Sequence, residues 1–322
     1  ITKDPETGWV NLGTYRGMVH DGQSMGFFLE QDRHASIHRQ KYWEAGKPCP
    51  VAISFGHDPL LFLVACQTIP YGFSEYDYAG GIRGEPIEVI EGQVTGLPIP
   101  ACSEIVIEGE SLPDDARAEG PFAEWTGYYG RQAEPTPIIR VKAVYHRRDP
   151  ILCGRPTNSS FMSLMKSARV WDQLEAAGVP GVQGVWCEPK TRGYLWMVVS
   201  IKQRYPGHAK QAALVASQCG AAKDMGRFVI VVDDDVDPSN LTEVLWAMCT
   251  RADPERSIDI VRRCCGGYLD TANRQGERGF TSHAIIDACR PYEWLGDFPP
   301  MVEVSPALKE RVMQKWGELV FP

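Results

Sequence analysis

An excess of positive charge is what this sequence most plainly lacks: 33 Lys and Arg stand against 41 Asp and Glu, a formal net charge of −8. That balance argues against broad binding to nucleic acid or to an anionic membrane, although a local basic groove stays compatible with it. Long apolar runs are missing too, none approaching the roughly 20 residues of a helical membrane span. No signal peptide opens the chain. It starts at Ile1 without a Met and reads as the interior of a longer protein, so the missing leader is weak evidence. The 10 cysteines contain no CxxC pair, and Cys264 and Cys265 are adjacent, a poor start for a zinc site or an ordinary disulfide. Scattered thiols in a chain of this size fit a reducing cytoplasm, most of them as buried structural groups. The 7 histidines form neither HxH nor HExxH, and there is no repeat and no low-complexity segment.

What is present is an ordinary globular composition, 43% hydrophobic and 23% charged, over 322 residues, enough for two domains with proper cores. Residues 1 to about 150 are rich in Gly and Pro and carry short β-like runs at 51–55, 104–108 and 138–145, with a short helix at 58–66. Many short strands with turn signals suggest a barrel or sandwich. From about Cys153 the character changes. A helix over 160–177 is stopped by Gly178 and Pro180, and a strand follows at 194–201. An Ala-rich helix spans 208–225, and the apolar run 228–232 ends in Asp233-Asp234-Asp235, as a buried parallel strand would. Another helix starts at Pro238-Ser239-Asn240 and runs to about Thr250, residues 266–290 read as irregular, and a final amphipathic helix covers 306–319. The β-α-β-α order predicts an α/β layer.

Five constellations could carry chemistry, and each has a plain structural alternative. Asn11-Leu12-Gly13-Thr14-Tyr15-Arg16 offers a hard amide oxygen for a divalent cation and a permanent fork of donors, or simply a strand end. Gln31-Asp32-Arg33-His34 holds a lone histidine, more often structural than ligating. Ser74-Glu75-Tyr76 precedes small residues that allow close backbone approach, or is a turn with a solvated Glu. Glu119 and Glu124 flank the Gly120-Pro121 bend among aromatics. Such a pair can split its work, one carboxylate ionised beside an Arg and the other carrying a proton against apolar rings, or it can be an exposed acidic loop. Tyr205-Pro206-Gly207-His208-Ala209-Lys210 is a tight turn opening a helix, where a helix N-terminus plus Lys can hold a phosphate, or an ordinary solvated Lys can sit.

Together these segments resemble the UbiD family of prenylated-FMN-dependent reversible (de)carboxylases. The resemblance rests on Asn11-x4-Arg16, His34, Ser74-Glu75-Tyr76-x2-Ala79-Gly80, Ser103-Glu104-Ile105-Val106-x-Glu108-Gly109 and Glu119-Gly120-Pro121-Phe122-x-Glu124-x2-Gly127-Tyr128. It continues through Gly154-Arg155-Pro156, Gly207-His208-Ala209-Lys210, Val232-Asp233-Asp234-Asp235-Val236 and Trp246-Ala247-Met248-x-Thr250-Arg251. It runs from end to end and lacks the family's N-terminal portion.

The resemblance implies an α+β and α/β molecule: a split β-barrel flavin-binding domain over residues 1–152, then a C-terminal α/β domain over 153–322 that mediates self-association as a dimer or hexamer. The active site would lie between them. The implied cofactor is prenylated FMN from a separate flavin prenyltransferase, its phosphate gripped through Mn2+ and K+. Asn11, His34 and Glu75 match the manganese ligands, and their oxygen and imidazole donors suit Mn2+ better than a soft metal. Glu75 would also touch K+, with the backbone around Trp9 and residues 66–69, and Lys210 matches the phosphate-side lysine. Arg16, Glu119 and Glu124 match the catalytic network, in which Arg16 takes the substrate carboxylate and a flavin edge. The unsaturated carbon would bond covalently to the modified flavin as electron sink, Glu124 (Asp in some members) would donate the proton that replaces CO2, and Glu119 would orient Arg16. The implied substrate is an aromatic, heteroaromatic or α,β-unsaturated acid, and residues 20–29 and 37–41 sit closer to the small aromatic-acid members than to the quinone-pathway enzymes. Two rivals differ in class: a non-catalytic relative that binds flavin or serves assembly, which needs no proton donor, and an ordinary split-barrel flavin oxidoreductase, which needs no metal trio.

Overall fold

The computed structural model describes residues 1–322 except 31–32, 68, 125, 131, 153–158, 192–194, 223–225, 268–269, 274–278, 303 and 321–322. β1 (Thr2–Lys3) and β2 (Val10–Asn11) form a ribbon in which Thr2 faces Asn11. β3 (Val19–Asp21) turns back into β4 (Ser24–Gly26), and α1 (His34–Glu44) leads to β5 (Cys49–Phe55). α2 (Pro59–Ala65) starts at a cap in which Asp58 accepts the Leu60 N–H, with Pro59 at the first turn where no donor is lost. α3 (Glu75–Arg83) is capped by Ser74 and closed by Gly84, whose φ of 80° is the left-handed conformation glycine favours. β6 (Val89–Glu91) and β7 (Pro98–Pro100) make a second ribbon, followed by β8 (Ile105–Ser111), β9 (Ala116–Glu119) and β10 (Glu134–His146).

β10 is the spine of this half. Its 13 residues pair first with β9, then with β4, then with β8, all antiparallel. Glu134 faces Glu119 and Ile138 faces Gly26, which brings the end of β9 beside the end of β4. The sheet order is β3-β4-β10-β8-β5 with β9 added on β10. This path is open, and among the described residues the strands do not close the split barrel that the resemblance implies.

The second half begins with α4 (Ser159–Ala176), β11 (Val182–Cys187), β12 (Trp196–Ile201), α5 (His208–Gln218) and β13 (Phe228–Asp233). It continues with α6 (Leu241–Arg251), α7 (Pro254–Ser257), β14 (Ile258–Cys265), β15 (Phe280–Asp287) and α8 (Pro306–Val320). The sheet order is β11-β12-β13-β15-β14, with β12, β13 and β15 parallel and an antiparallel strand at each edge. The apolar run 228–232 is continuous because β13 is covered on both faces. Val229 and Val231 pack with Leu174 and Ala212 from α4 and α5, while Ile230 and Val232 pack with Val244 and Ala247 from α6.

Three sequence expectations are corrected. The helix expected over 208–225 ends at Gln218, because Cys219 turns to extended backbone ahead of Gly220, and 223–225 lie outside the described residues. Residues 266–290, expected to be irregular, contain β15, a strand between β13 and β14. Its inward positions include Thr281 and His283, polar residues that hide the alternation. α1 and α3 were not anticipated as helices: α1 turns Ala35, His38 and Arg39 inward, so it carries no apolar stripe. Gly154-Arg155-Pro156 and the 152/153 boundary's second residue, Cys153, lie outside the described residues.

Ile230 is fully buried at the centre of the second sheet. Ile230→Ala is expected to lower unfolding free energy by about 2–5 kcal/mol in a urea titration. A change below about 0.5 kcal/mol would place that side chain at the surface instead.

Candidate active site

Arg16 sits on an extended segment that pairs with the end of β4. Phe28 N–H donates to the Arg16 carbonyl at 3.1 Å, and Gly26 N–H to the Met18 carbonyl at 2.7 Å. This pairing delivers the guanidinium to two carboxylates. Arg16 Nη1 lies 3.2 Å from Glu124 Oε1, and Arg16 Nη2 lies 3.5 Å from Glu119 Oε2. Glu119 is fully buried, and its other oxygen accepts the Met18 N–H at 3.2 Å. Gly26 makes room for it, since a Cβ there would fall 2.7 Å from Glu119 Oε1. Glu124 is held by a tight hairpin: its N–H donates to the Tyr128 carbonyl, and Gly127, at φ 85°, donates back to the Glu124 carbonyl. Trp125, inside that hairpin, lies outside the described residues.

Two aromatic rings complete the clamp. The Arg16 guanidinium carbon lies 4.6 Å from the Phe28 ring centroid and 4.4 Å from that of Phe122. Each such contact contributes about 0.5–2 kcal/mol, and together they hold the planar fork in one orientation. Arg16 Nε is buried with no partner among the described residues. The side-chain exposures, 23% for Arg16, 13% for Glu124 and 0% for Glu119, order the cluster from its open side inward. A carboxylate ligand would meet Arg16 and Glu124 before Glu119.

Asn11, His34 and Glu75 are drawn together from three elements. Asn11 ends β2, His34 opens α1, and Glu75 opens α3. Leu12 N–H donates to Glu75 Oε2 at 2.8 Å, which fixes the carboxylate beside Asn11. Asn11 Nδ2 donates to the Tyr15 hydroxyl oxygen at 3.1 Å, and Ala35 N–H, next to His34, donates to the same oxygen at 3.4 Å. The His34 ring stands edge-on to Trp9 and Tyr71, with centroids 5.0 and 5.6 Å apart.

The chemistry of this trio fits a hard divalent cation. Glu75 is 2% exposed and forms no ion pair with Lys or Arg among the described residues, and burial pushes its carboxyl up to about 7 from the ordinary 4.5. A buried carboxylate without a cationic side chain is the environment that a bound cation stabilises. No group of three His, Cys, Asp and Glu side chains able to hold a metal occurs among the described residues, so the trio depends on the asparagine oxygen. For K+, the Trp9 carbonyl accepts the Asp4 N–H and keeps a second lone pair, and Thr68 lies outside the described residues.

Lys210 is not brought into this group by any described contact. Its Nζ lies 2.8 Å from Asp259 Oδ2 on β14, both side chains about half exposed. The Asp233 and Arg251 segments prove to be structural partners: Arg251 reaches both Asp233 and Asp235, and Arg290 joins Asp233 at 3.0 Å. Tyr15, Gly26, Phe28 and Phe122 had no role assigned from sequence. Signals were present for Phe122, one of the aromatics around the Glu119–Glu124 bend, and for Tyr15, an aromatic two residues beyond Gly13.

Two family models cover most of the chain. The 3-octaprenyl-4-hydroxybenzoate carboxy-lyase Rift-related domain matches residues 1–158, and the C-terminal domain of the same family matches 159–288. An uncharacterized protein of Archaeoglobus fulgidus is 33% identical over 99% of this chain and 67% of its own length. Among solved structures, the vanillic acid decarboxylase of Sedimentibacter hydroxybenzoicus in closed form is 30% identical with a TM-score of 0.85, covering 100% of this chain and 69% of that one. The UbiD-class enzyme HmfF of Pelotomaculum thermopropionicum, in complex with FMN, is 29% identical with a TM-score of 0.84 over 96% of this chain and 68% of that one. An evolved dimeric form of HmfF was solved with prenylated FMN. This chain thus spans about two thirds of the length of these relatives.

The buried Glu75 generates a pH dependence. Its folded carboxyl keeps a proton up to about 7, whereas the unfolded one loses it near 4.5. Its contribution to stability is therefore present below the lower value and is lost as pH rises through the upper one. Metal-free protein is expected to lose thermal stability from this group across that window, and Mn2+ to raise the melting temperature more at about pH 8 than at about pH 6, where it must displace a proton. Glu75→Gln should remove both effects in a melting series. Equal Mn2+ shifts at both pH values, unchanged by the substitution, would contradict the assignment.

Proposed function

The chain belongs to the UbiD family, and from that premise we propose that it catalyses reversible, non-oxidative decarboxylation of an aromatic, heteroaromatic or α,β-unsaturated carboxylic acid with prenylated FMN. The observation that carries this reading is the Arg16 fork clamped between two carboxylates and two aromatic rings. A binding-only relative has no use for Glu124, and a flavin oxidoreductase has no use for the trio Asn11, His34 and Glu75.

Arg16 takes the substrate carboxylate from the open side, where Glu124 is its present partner. Glu124, at the open side of the cluster, carries the proton for the step. The bond to CO2 then breaks, and its electron pair stays with the substrate carbon. Bound prenylated FMN supplies the electron sink for that pair. Glu124 passes its proton to the same carbon, closing a C–H bond, and is reloaded from solvent through its exposed edge. In the carboxylation direction Glu124 removes the proton. Glu119 keeps the guanidinium in place through Arg16 Nη2 and the Met18 N–H.

Asn11, His34 and Glu75 would hold Mn2+ and Glu75 would share K+, the cations neutralising the cofactor phosphate. Lys210 would exchange Asp259 for that phosphate, a small step because a half-exposed ion pair contributes only about 0–1 kcal/mol. A separate prenyltransferase would supply the cofactor. Residues 1–152 would form the cofactor-binding domain and 153–322 the oligomerising one. The exposed Leu308, Val312, Trp316 and Leu319, at helical spacing on one face of α8, support homo-oligomer formation. The described free cysteines support a reducing, cytoplasmic setting. The likeness to vanillic acid decarboxylase supports a small aromatic acid as substrate.

Glu124→Gln should fold and bind flavin yet lose about 10²–10⁴ in turnover, because the amide keeps the shape and delivers no proton. Arg16→Lys should be as inactive as Arg16→Ala, since Lys lacks the fork. The checks are CO2 release and solvent deuterium uptake. Normal rates in Glu124→Gln would remove that residue from the mechanism.

A further inference from the structure

Of the three residues read as metal ligands, Glu75 is oriented by the Leu12 N–H and His34 by the rings of Trp9 and Tyr71. Asn11 presents a different problem. It is 1% exposed, and the two ends of its amide are unlike: only the oxygen can bind a cation, and then the NH2 must find an acceptor in the interior. The acceptor is the Tyr15 hydroxyl oxygen, 3.1 Å from Asn11 Nδ2. That oxygen has two lone pairs, and the second accepts the Ala35 N–H at 3.4 Å, one residue beyond His34.

We propose that Tyr15 is the positioning residue of the cation site: its phenol oxygen accepts the Asn11 amide hydrogen, turns the Asn11 carbonyl oxygen outward to the cation, and ties it to the helix start that carries His34. This rests on reading Asn11, His34 and Glu75 as the Mn2+ ligands.

Gly13 supports the assignment independently. A Cβ at Gly13 would land inside the Tyr15 ring and hydroxyl, yet the Gly13 backbone is not in the left-handed region. The glycine is therefore there for space, so that the ring can lie across the turn that begins at Asn11. The ring also packs edge-on against Phe27, with centroids 6.1 Å apart and planes at 82°. Tyr15 is thus held by its neighbours, and the oxygen it presents to Asn11 is held with it. Removing that oxygen leaves a buried amide NH2 and a backbone N–H without acceptor whenever Asn11 faces the cation, and nothing then favours the ligating orientation. Groups that orient a metal ligand in this way typically change metal affinity by about 10–100-fold.

The test titrates MnCl2 into the FMN-loaded protein and reads free Mn2+ from its solution EPR signal. Tyr15→Phe is expected to weaken Mn2+ binding about 10–100-fold, while the metal-free melting temperature moves by no more than about 3 °C. Gly13→Ala, which keeps the hydroxyl and displaces the ring, should weaken it as well. In an Asn11→Ala background, Tyr15→Phe should weaken it no further, because the residue through which Tyr15 acts is gone. Wild-type affinity in Tyr15→Phe overturns the proposal and leaves the ligand trio standing. So does an equal further loss in the Asn11→Ala background, or a loss matched by a fall in metal-free melting temperature with Gly13→Ala unaffected, since Tyr15 would then be a packing residue. A wild-type protein that takes up no Mn2+ removes the ligand trio and the proposal together.

Discussion

A guanidinium that is mostly shielded from water must be held on every side or it will turn to find its own partners. Arg16 is held by Glu119 from the interior, by Glu124 at the mouth, and by the rings of Phe28 and Phe122. The contacts come from two stretches far apart in the chain, Phe28 and residues 119–124, and β10 connects them. It pairs with β4, which carries Gly26 and leads to Phe28, and with β9, which ends in Glu119. Moving either strand by one residue would turn its side chains to the other face of the sheet and take Glu119 away from Arg16. The antiparallel register on β10 is therefore a condition of the chemistry as well as of the fold.

The cation site depends on the same short stretch. Residues 11–16 contribute Asn11, the Leu12 N–H that fixes Glu75, the Tyr15 oxygen and Arg16 itself. One segment of backbone would thus set the place both of the proposed cation and of the fork proposed to take a carboxylate. The second sheet contributes a rigid layer covered by helices on both faces, with its acidic strand end at Asp233 tied down by Arg251 and Arg290.

The parts of this architecture that were legible in sequence are those dictated by local chemistry. β13 announced itself by five consecutive apolar residues, α2 by Asp58-Pro59, and α6 by Asn240. β15 did not, because burial of Thr281 and His283 depends on neighbours far along the chain, and α1 did not, because it buries His38 and Arg39 in place of an apolar stripe. Glu119 and Glu124 were legible as a carboxylate pair around a bend and Arg16 as a donor fork, but that they meet was visible only through the family resemblance, since nothing in their spacing predicts contacts across more than a hundred residues. Phe28 and Gly26 stayed hidden for the same reason: a ring over a guanidinium and a missing Cβ under a carboxylate exist only once β4 has paired. Lys210 was legible as a helix-opening lysine, and its pairing with Asp259 was not, because β14 was itself unread.

Action of the Arg16 cluster on the carboxylate of an unsaturated or aromatic acid is the step on which the proposed function rests. It is tested most directly by loading the protein with prenylated FMN, Mn2+ and K+ and offering hydroxybenzoic, cinnamic, furan and pyrrole acids in deuterated water. At least one acid is expected to lose CO2 and gain deuterium at the carbon that bore it, with Arg16→Ala inert. A protein whose visible spectrum shows bound cofactor, yet which leaves every acid in the panel unchanged and unlabelled, would contradict it.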